Sequence, residues 1–266
     1  MSKKRYYIIE EKQKKESSYG KKLISILSVA AVFLVTSVTV LSLYFTGVIS
    51  SSGGYTDKKD DEKNPDYSEG FVDYVFNSDA LPAGRYATFV FKVEGDENEY
   101  KVKSYLFDKY APNTVSNFVS HASKGTYDGT VFSNAVISYD SSKKPVSGRI
   151  DCGPYTLKNG EPTYVMPTGT NPKPIKGEFK NNGYEQNVLS HTAGVIGLTH
   201  GASNDDATTD FYILPYDALS MNGNYAAFGK ITTESGIKTV QSLAKKSYEQ
   251  NLTVTLVKVM IETKKS

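Results

Sequence analysis

The stretch LFDKYAPNTVSNFVSHASKGTYDGTVF, residues 106–132, changes its periodicity twice, and those changes set the architecture. Through Phe107 it completes a run of β-branched and aromatic residues. From Ala111 the apolar positions move to helical spacing. Val115, Phe118, Val119 and Ala122 stand at i, i+3, i+4 and i+7, one stripe of an amphipathic helix. Pro112 suits the first turn, where a missing N–H costs nothing, and Gly125 is placed to stop the helix. Strand character resumes at Thr130.

Working outward, residues 85–94 (RYATFVFKVE) and 99–107 (EYKVKSYLF) read as two strands joined by the turn-forming Gly95-Asp96-Glu97-Asn98. Further strand-like runs lie at 130–136, 194–199, 210–214, 225–231 and 253–261. A second helix is expected over 236–245, with Ile237, Val240, Leu243 and Ala244 as its stripe. Many short strands and two good helices predict a mainly β domain, a closed or nearly closed antiparallel barrel with helices over its ends. The stretch 140–174 holds Pro145, Pro154, Pro162, Pro167, Pro172 and Pro174 and reads as a long irregular insertion, one that either shapes a groove or is a surface loop. No repeat is evident at periods of 20–50 residues.

The charges are not evenly spread. Residues 1–22 carry eight of the 31 Lys/Arg and only three of the 29 Asp/Glu, so the rest of the chain is net acidic. Residues 23–49 (LISILSVAAVFLVTSVTVLSLYFTGVI) form 27 positions without a charge. At about 1.5 Å per residue such a helix reaches roughly 40 Å, enough to cross a hydrocarbon core of about 30 Å. The apolar run is too long for a cleaved signal peptide. The basic excess on its N-terminal side predicts a cytoplasmic tail (1–22), a single transmembrane helix (23–49), a linker or stalk (50–83) and an extracytoplasmic folded domain (84–266) at the cell membrane. Within the linker, residues 66–82 are open to two readings, since Phe71, Tyr74, Val75 and Phe76 either pack onto the domain or merely decorate the stalk. In the folded part the charges alternate in sign, which argues against a nucleic-acid surface. Cys152 is the single cysteine, so no intramolecular disulfide forms, and it reads as a small buried hydrophobe. His121, His191 and His200 are too scattered to propose a metal site. No nucleophile elbow, phosphate loop or dinucleotide fingerprint is present.

Five segments in order resemble the cyclophilin family of peptidyl-prolyl cis–trans isomerases. In 106–132 the core Ala-Pro-x-Thr-Val-x-Asn-Phe is followed by Tyr-x-Gly-x-x-Phe. IKGEF (175–179) matches a short family marker. LSHTAGVIGLTH (189–200) resembles the His-Thr-x-Gly strand, TTDFYIL (208–214) the Ser-Gln-Phe-Phe-Ile strand, and NGNYAAFGKI (222–231) the Asp-Gly turn with its Phe-Gly strand. Together they cover roughly 105–245. The resemblance implies an eight-stranded antiparallel barrel capped by two helices, with a groove for X-Pro segments of unfolded or secreted polypeptides on its outer face. It implies no cofactor and no metal.

The chemistry asks for little. Rotation about a peptide bond meets a barrier of about 18–20 kcal/mol because the nitrogen lone pair is delocalised, and slow X-Pro exchange limits folding. An apolar pocket for the proline ring suffices, with donors that favour the twisted amide.

Carried over position by position, the resemblance puts Asn134 where the family's main donor, an arginine, stands in Phe-His-Arg, since the segment here is Phe132-Ser133-Asn134. Asp210 replaces the glutamine of Gln-Phe-Phe, and Asp151-Cys152-Gly153 replaces Gln-Gly-Gly. Phe211 and Tyr212 stand for the paired phenylalanines of the proline pocket, and Met221 for its leucine. Tyr225 takes a place often held by histidine, Ser220 one held in some members by tryptophan, and Thr199 and His200 stand for the Ala-Asn pair of the groove. The expected catalytic residues are thus Asn134 and Asp210. Phe211, Tyr212, Met221, Tyr225, Thr199, His200 and Asp151 are expected to bind substrate. His191 reads as structural. An uncharged asparagine is a weaker donor than arginine, which leaves two rivals to a fast isomerase: a proline-peptide binding module on the same fold, and an adhesion domain on a stalk.

Overall fold

The first strands form because their alternation leaves one face apolar; in the computed structural model, which describes residues 70–76, 81–166 and 171–265, that face is the core. The strand β1 (Gly84–Val93) turns Ala87, Phe89, Phe91 and Val93 inward. Its partner β2 (Tyr100–Leu106) returns antiparallel, with Phe91 opposite Tyr100 and Arg85 opposite Leu106. Between them Gly95 takes the turn at φ +74°.

The helix α1 (Pro112–Ser123) follows and drives Phe118 into the interior, its ring centroid 5.4 Å from Phe211 and 5.0 Å from Phe228. Ala111, at the N-cap, has no side chain to offer the free amides of the first turn. Glu178 of the IKGEF segment does that from 64 residues away. It is 2% exposed, and its carboxylate accepts from the backbone amides of Asn113 (3.1 Å) and Thr114 (2.8 Å) and from both side chains. Four donors and a helix N-terminus offset the cost of burying the charge.

The chain continues through β3 (Thr130–Val131), β4 (Asn134–Tyr139), β5 (Pro145–Cys152), a ribbon of β6 (Tyr155–Lys158) and β7 (Glu161–Tyr164), then β8 (Val195–Leu198), β9 (Phe211–Ile213) and β10 (Ala226–Ile231). The helix α2 (Glu234–Tyr248) and β11 (Val254–Lys264) complete it. Thr233 caps α2 by accepting from the amide of Gly236 at 3.0 Å. The main sheet runs β3-β11-β1-β2-β10-β8-β9-β5-β4, antiparallel at every step.

The two ends of that order, β3 and β4, are separated in the chain only by Phe132 and Ser133, so the sheet curls back on itself. The amide of Phe132 bonds to Val254 of β11 and that of Ser133 to Asp151 of β5. One segment thus changes partner in mid-course, and the single strand expected over 130–136 becomes two. The main sheet counts nine strands where eight were expected. The 140–174 stretch is not irregular throughout, for it holds β5 and the ribbon.

Of the two readings open for residues 66–82, the described part, 70–76, follows the one that packs onto the domain. Val72 bridges Leu189, its amide donating to Val188 and its carbonyl accepting from Ser190. Tyr74 and Phe76 pack on Phe107 at 4.9 and 6.2 Å. Asp73 pairs with Lys230 at 2.9 Å, and the lysine side chain is only 7% exposed. Residues 70–76 are therefore part of the fold, inside the stretch read as linker. The tail 1–22 and the span 23–49 lie outside the described residues. Among the described residues no helix is long and apolar enough to cross a membrane.

Candidate active site

Strand pairing lays one row of residues across five strands. Asn134 (β4) stands opposite Asp151 (β5), Asp151 opposite Tyr212 (β9), Tyr212 opposite Gly197 (β8), and Gly197 opposite Ala227 (β10). Their strand neighbours Ala135, Ile150, Cys152, Phe211, Ile213, Ile196, Leu198 and Phe228 fill the core. By the alternation of a strand, the row faces the other way, out of the curled sheet.

Tyr212 is the floor of this face. Its ring lies across Gly197, where a Cβ would come within 2.0 Å of the phenol oxygen. Its hydroxyl reaches Nε2 of His191 at 2.7 Å, while Nδ1 of His191 lies 3.0 Å from Oδ1 of Asn222. Asn222 Oδ1 can only accept, so Nδ1 carries the proton and Tyr212 donates to Nε2. Burial holds His191 neutral by pushing its pKa down to about 4.

Above the Tyr212 ring lies Arg149, two residues before Asp151 and on the same side of β5. Its guanidinium carbon is 4.9 Å from the Tyr212 centroid and 5.8 Å from that of Tyr225. Nε donates to Asp151 Oδ1 at 2.5 Å and Nη2 to Thr199 Oγ1 at 3.2 Å. Asn134 Nδ2 donates to the other oxygen of Asp151 at 3.3 Å. Tyr225 meets Tyr212 edge-on at 5.9 Å and stacks on His200 at 4.6 Å, and Phe179 also stacks on His200, at 5.3 Å. Met221, in the turn Leu219–Met221, packs against the cluster around Tyr212.

Asp210 stands at the end of the face and is tied to the ribbon. Tyr155 donates to its Oδ2 at 2.8 Å and Thr209 to Oδ1 at 3.2 Å. Tyr164 is 3.1 Å from the Thr209 hydroxyl, and the two ribbon tyrosines meet edge-on at 5.4 Å. Burial raises the pKa of Asp210, partly offset by these hydroxyls. A Cβ on Gly153 would come within 2.6 Å of Asp210 Oδ1, so the glycine leaves room for this carboxylate.

Compared with known proteins, residues 90–265 match the family described as cyclophilin type peptidyl-prolyl cis-trans isomerase/CLD. The chain belongs to the cyclophilin family. It is 27% identical over 148 residues to peptidyl-prolyl cis-trans isomerase B of Bacillus subtilis, covering 56% of this chain and 86% of that one. It is 26% identical over 170 residues to a peptidyl-prolyl cis-trans isomerase of Helicobacter pylori, covering 64% and 86%. Among solved structures, a Cryptosporidium parvum cyclophilin type isomerase aligns with a TM-score of 0.47 at 18% identity, over 68% of this chain and 99% of that one.

In this cyclophilin the residues expected at the site are only partly gathered. Asn134, Asp151, Thr199, Tyr212 and Tyr225 surround Arg149, and His200 backs Tyr225. Asp210 is set apart with the ribbon. Phe211 does not stand on this face: it is 0% exposed and packs on Phe89, Phe118 and Tyr127, because it alternates with Tyr212 along β9. Cys152 is buried, and burial pushes its thiol pKa well up, which leaves it inert. Arg149 is the residue that sequence reasoning missed. The signal was the alternation of Ser147, Arg149 and Asp151 with Gly148, Ile150 and Cys152, hidden in a stretch read as irregular because of its prolines.

Proposed function

We propose that this cyclophilin accelerates cis–trans exchange of X-Pro bonds in polypeptides held against the Tyr212 face. The observation that carries the reading is the outward row itself: an aromatic floor at Tyr212, walled by Tyr225 and Met221, with amide and carboxylate groups of Asn134 and Asp151 along one rim. A prolyl ring stacks on such a floor, and donors at the rim meet the amide as it twists. No bond is made or broken, so preferential stabilisation of the twisted state is the whole of the catalysis. Asn134 acts as a neutral rim donor. Asp210 positions the ribbon tyrosines at the end of the groove, with Thr199 and His200 along its other side.

A second reading, binding without catalysis, draws support from Asn134 standing where the family resemblance places arginine. Exchange NMR on an Ala-Pro peptide with the fragment from residue 66 separates the two. Faster exchange supports the isomerase; peptide-induced shifts without faster exchange support the binding module.

The place of action belongs to the same proposal. The 27 uncharged residues and the basic tail before them support anchoring to a membrane with the domain outside, where secreted chains emerge. External protease on intact cells expressing the full chain should remove the domain and leave the tail protected. Protection of the domain would overturn this placement.

A further inference from the structure

We propose that Arg149, on the strand next to the one that the family resemblance points to, supplies the cationic donor of this isomerase. The inference rests on the X-Pro reading above and assigns its principal donor. Arg149 and Asn134 are diagonal neighbours on β5 and β4, since Arg149 faces Val136 and Asn134 faces Asp151. An arginine on either position therefore serves the same rim.

Arg149 is built in rather than left loose. Asp151 holds Nε and Thr199 accepts from Nη2, so the planar head is fixed over the face by its own strand and by the residue that follows β8. Two of its five N–H groups are used in this way, leaving three for a ligand. Guanidinium keeps its charge at any working pH, and a charge-assisted bond is about twice as strong as a neutral one. Asn134 could not match this.

The position has a second effect. In the free protein the guanidinium covers Tyr212, whose exposure is 0%. A prolyl ring can reach that floor only if the head swings aside, pivoting on its bond to Asp151. The same movement brings the free N–H groups beside the incoming amide. Arg149 thus competes with the ground state and assists the twisted one, which splits affinity from turnover.

Exchange NMR and peptide titration on Arg149→Gln should show this split. Catalysed exchange at saturating peptide falls by about 100-fold, the typical loss for one oxyanion-type donor, while the peptide binds as tightly as before or more tightly. Adding Asn134→Arg to Arg149→Gln should restore most of the rate. A purely structural role for Arg149 predicts weaker binding and no rescue. Unchanged catalysis in Arg149→Gln, with the wild type active, would overturn the inference and leave the isomerase reading intact. An inactive wild type would remove both. In the wild-type protein the Nε–H resonance of Arg149 should shift on peptide addition, and a resonance that does not move would also overturn the proposal. That measurement requires no variant to fold.

Discussion

Tyr212 has two partners at once, with its ring under the Arg149 guanidinium and its hydroxyl spent on a buried histidine. Replacing it by phenylalanine keeps the floor and leaves Nε2 of His191 without its 2.7 Å donor. The expected cost is about 1–3 kcal/mol, read as a lower urea midpoint, with X-Pro exchange largely retained. His191 itself makes stability depend on pH. Its pKa is about 4 in the folded protein against 6.5 for the free side chain, chiefly because of burial. Between those values the unfolded chain binds a proton that the folded one refuses. Stability is therefore full above about pH 6.5 and declines as pH falls toward 4, by about 3 kcal/mol in all. Urea melts across this window should show the slope, and His191→Gln should flatten it. Neither effect was visible in the sequence, where His191 read only as structural, because its partners are 21 and 31 residues away.

At the scale of elements, the seat of the Tyr212 ring across β8 depends on a missing side chain. Gly197→Ala would drive a methyl into the Tyr212 ring, with contacts of 2.0 to 2.8 Å to be relieved. The loss should be on the order of 3 kcal/mol or more, with Tyr212 displaced and peptide binding lost. A variant as stable as wild type would show that the ring does not lie across β8 as described. Strands with clean alternation, and helices with a full stripe, were legible from the residues alone: β1, β2, α1 and α2 form where the periodicity places them, and β10 forms as a short run buried on both faces. The strand β5 was not. Its inward positions are a glycine, an isoleucine and a cysteine, a thin apolar signal, and Pro145 at its start mimics a loop. Arg149 was hidden with it, so Tyr212 could be singled out from the residues and the guanidinium above it could not.

On the whole molecule, the boundary at residue 84 follows the onset of strand periodicity, and a short strap carries none by which residues 66–82 could be assigned to domain or stalk. Residues 70–76 supply Asp73 to a nearly buried Lys230 and two rings to Phe107. A fragment beginning at residue 82 should be less stable than one beginning at 66 by about 3 kcal/mol, measured by chemical denaturation. Asp73→Ala alone should account for about 1 kcal/mol, since the carboxylate is half exposed. Equal stability of the two fragments would show that the strap contributes nothing.

The change of partner at Phe132-Ser133 has a bearing on what this protein can safely hold. Unfolded chains are rich in segments ready to add themselves as one more strand to any open ladder. Here the main sheet ends in a strand of two residues at one side and, at the other, in that strand's own continuation, packed beside α2. A visiting polypeptide meets a strand of only two residues at one edge and, at the other, a strand flanked by α2. On the function proposed above, it is held by the side chains of the Tyr212 face instead of being templated along its backbone, and so can leave again.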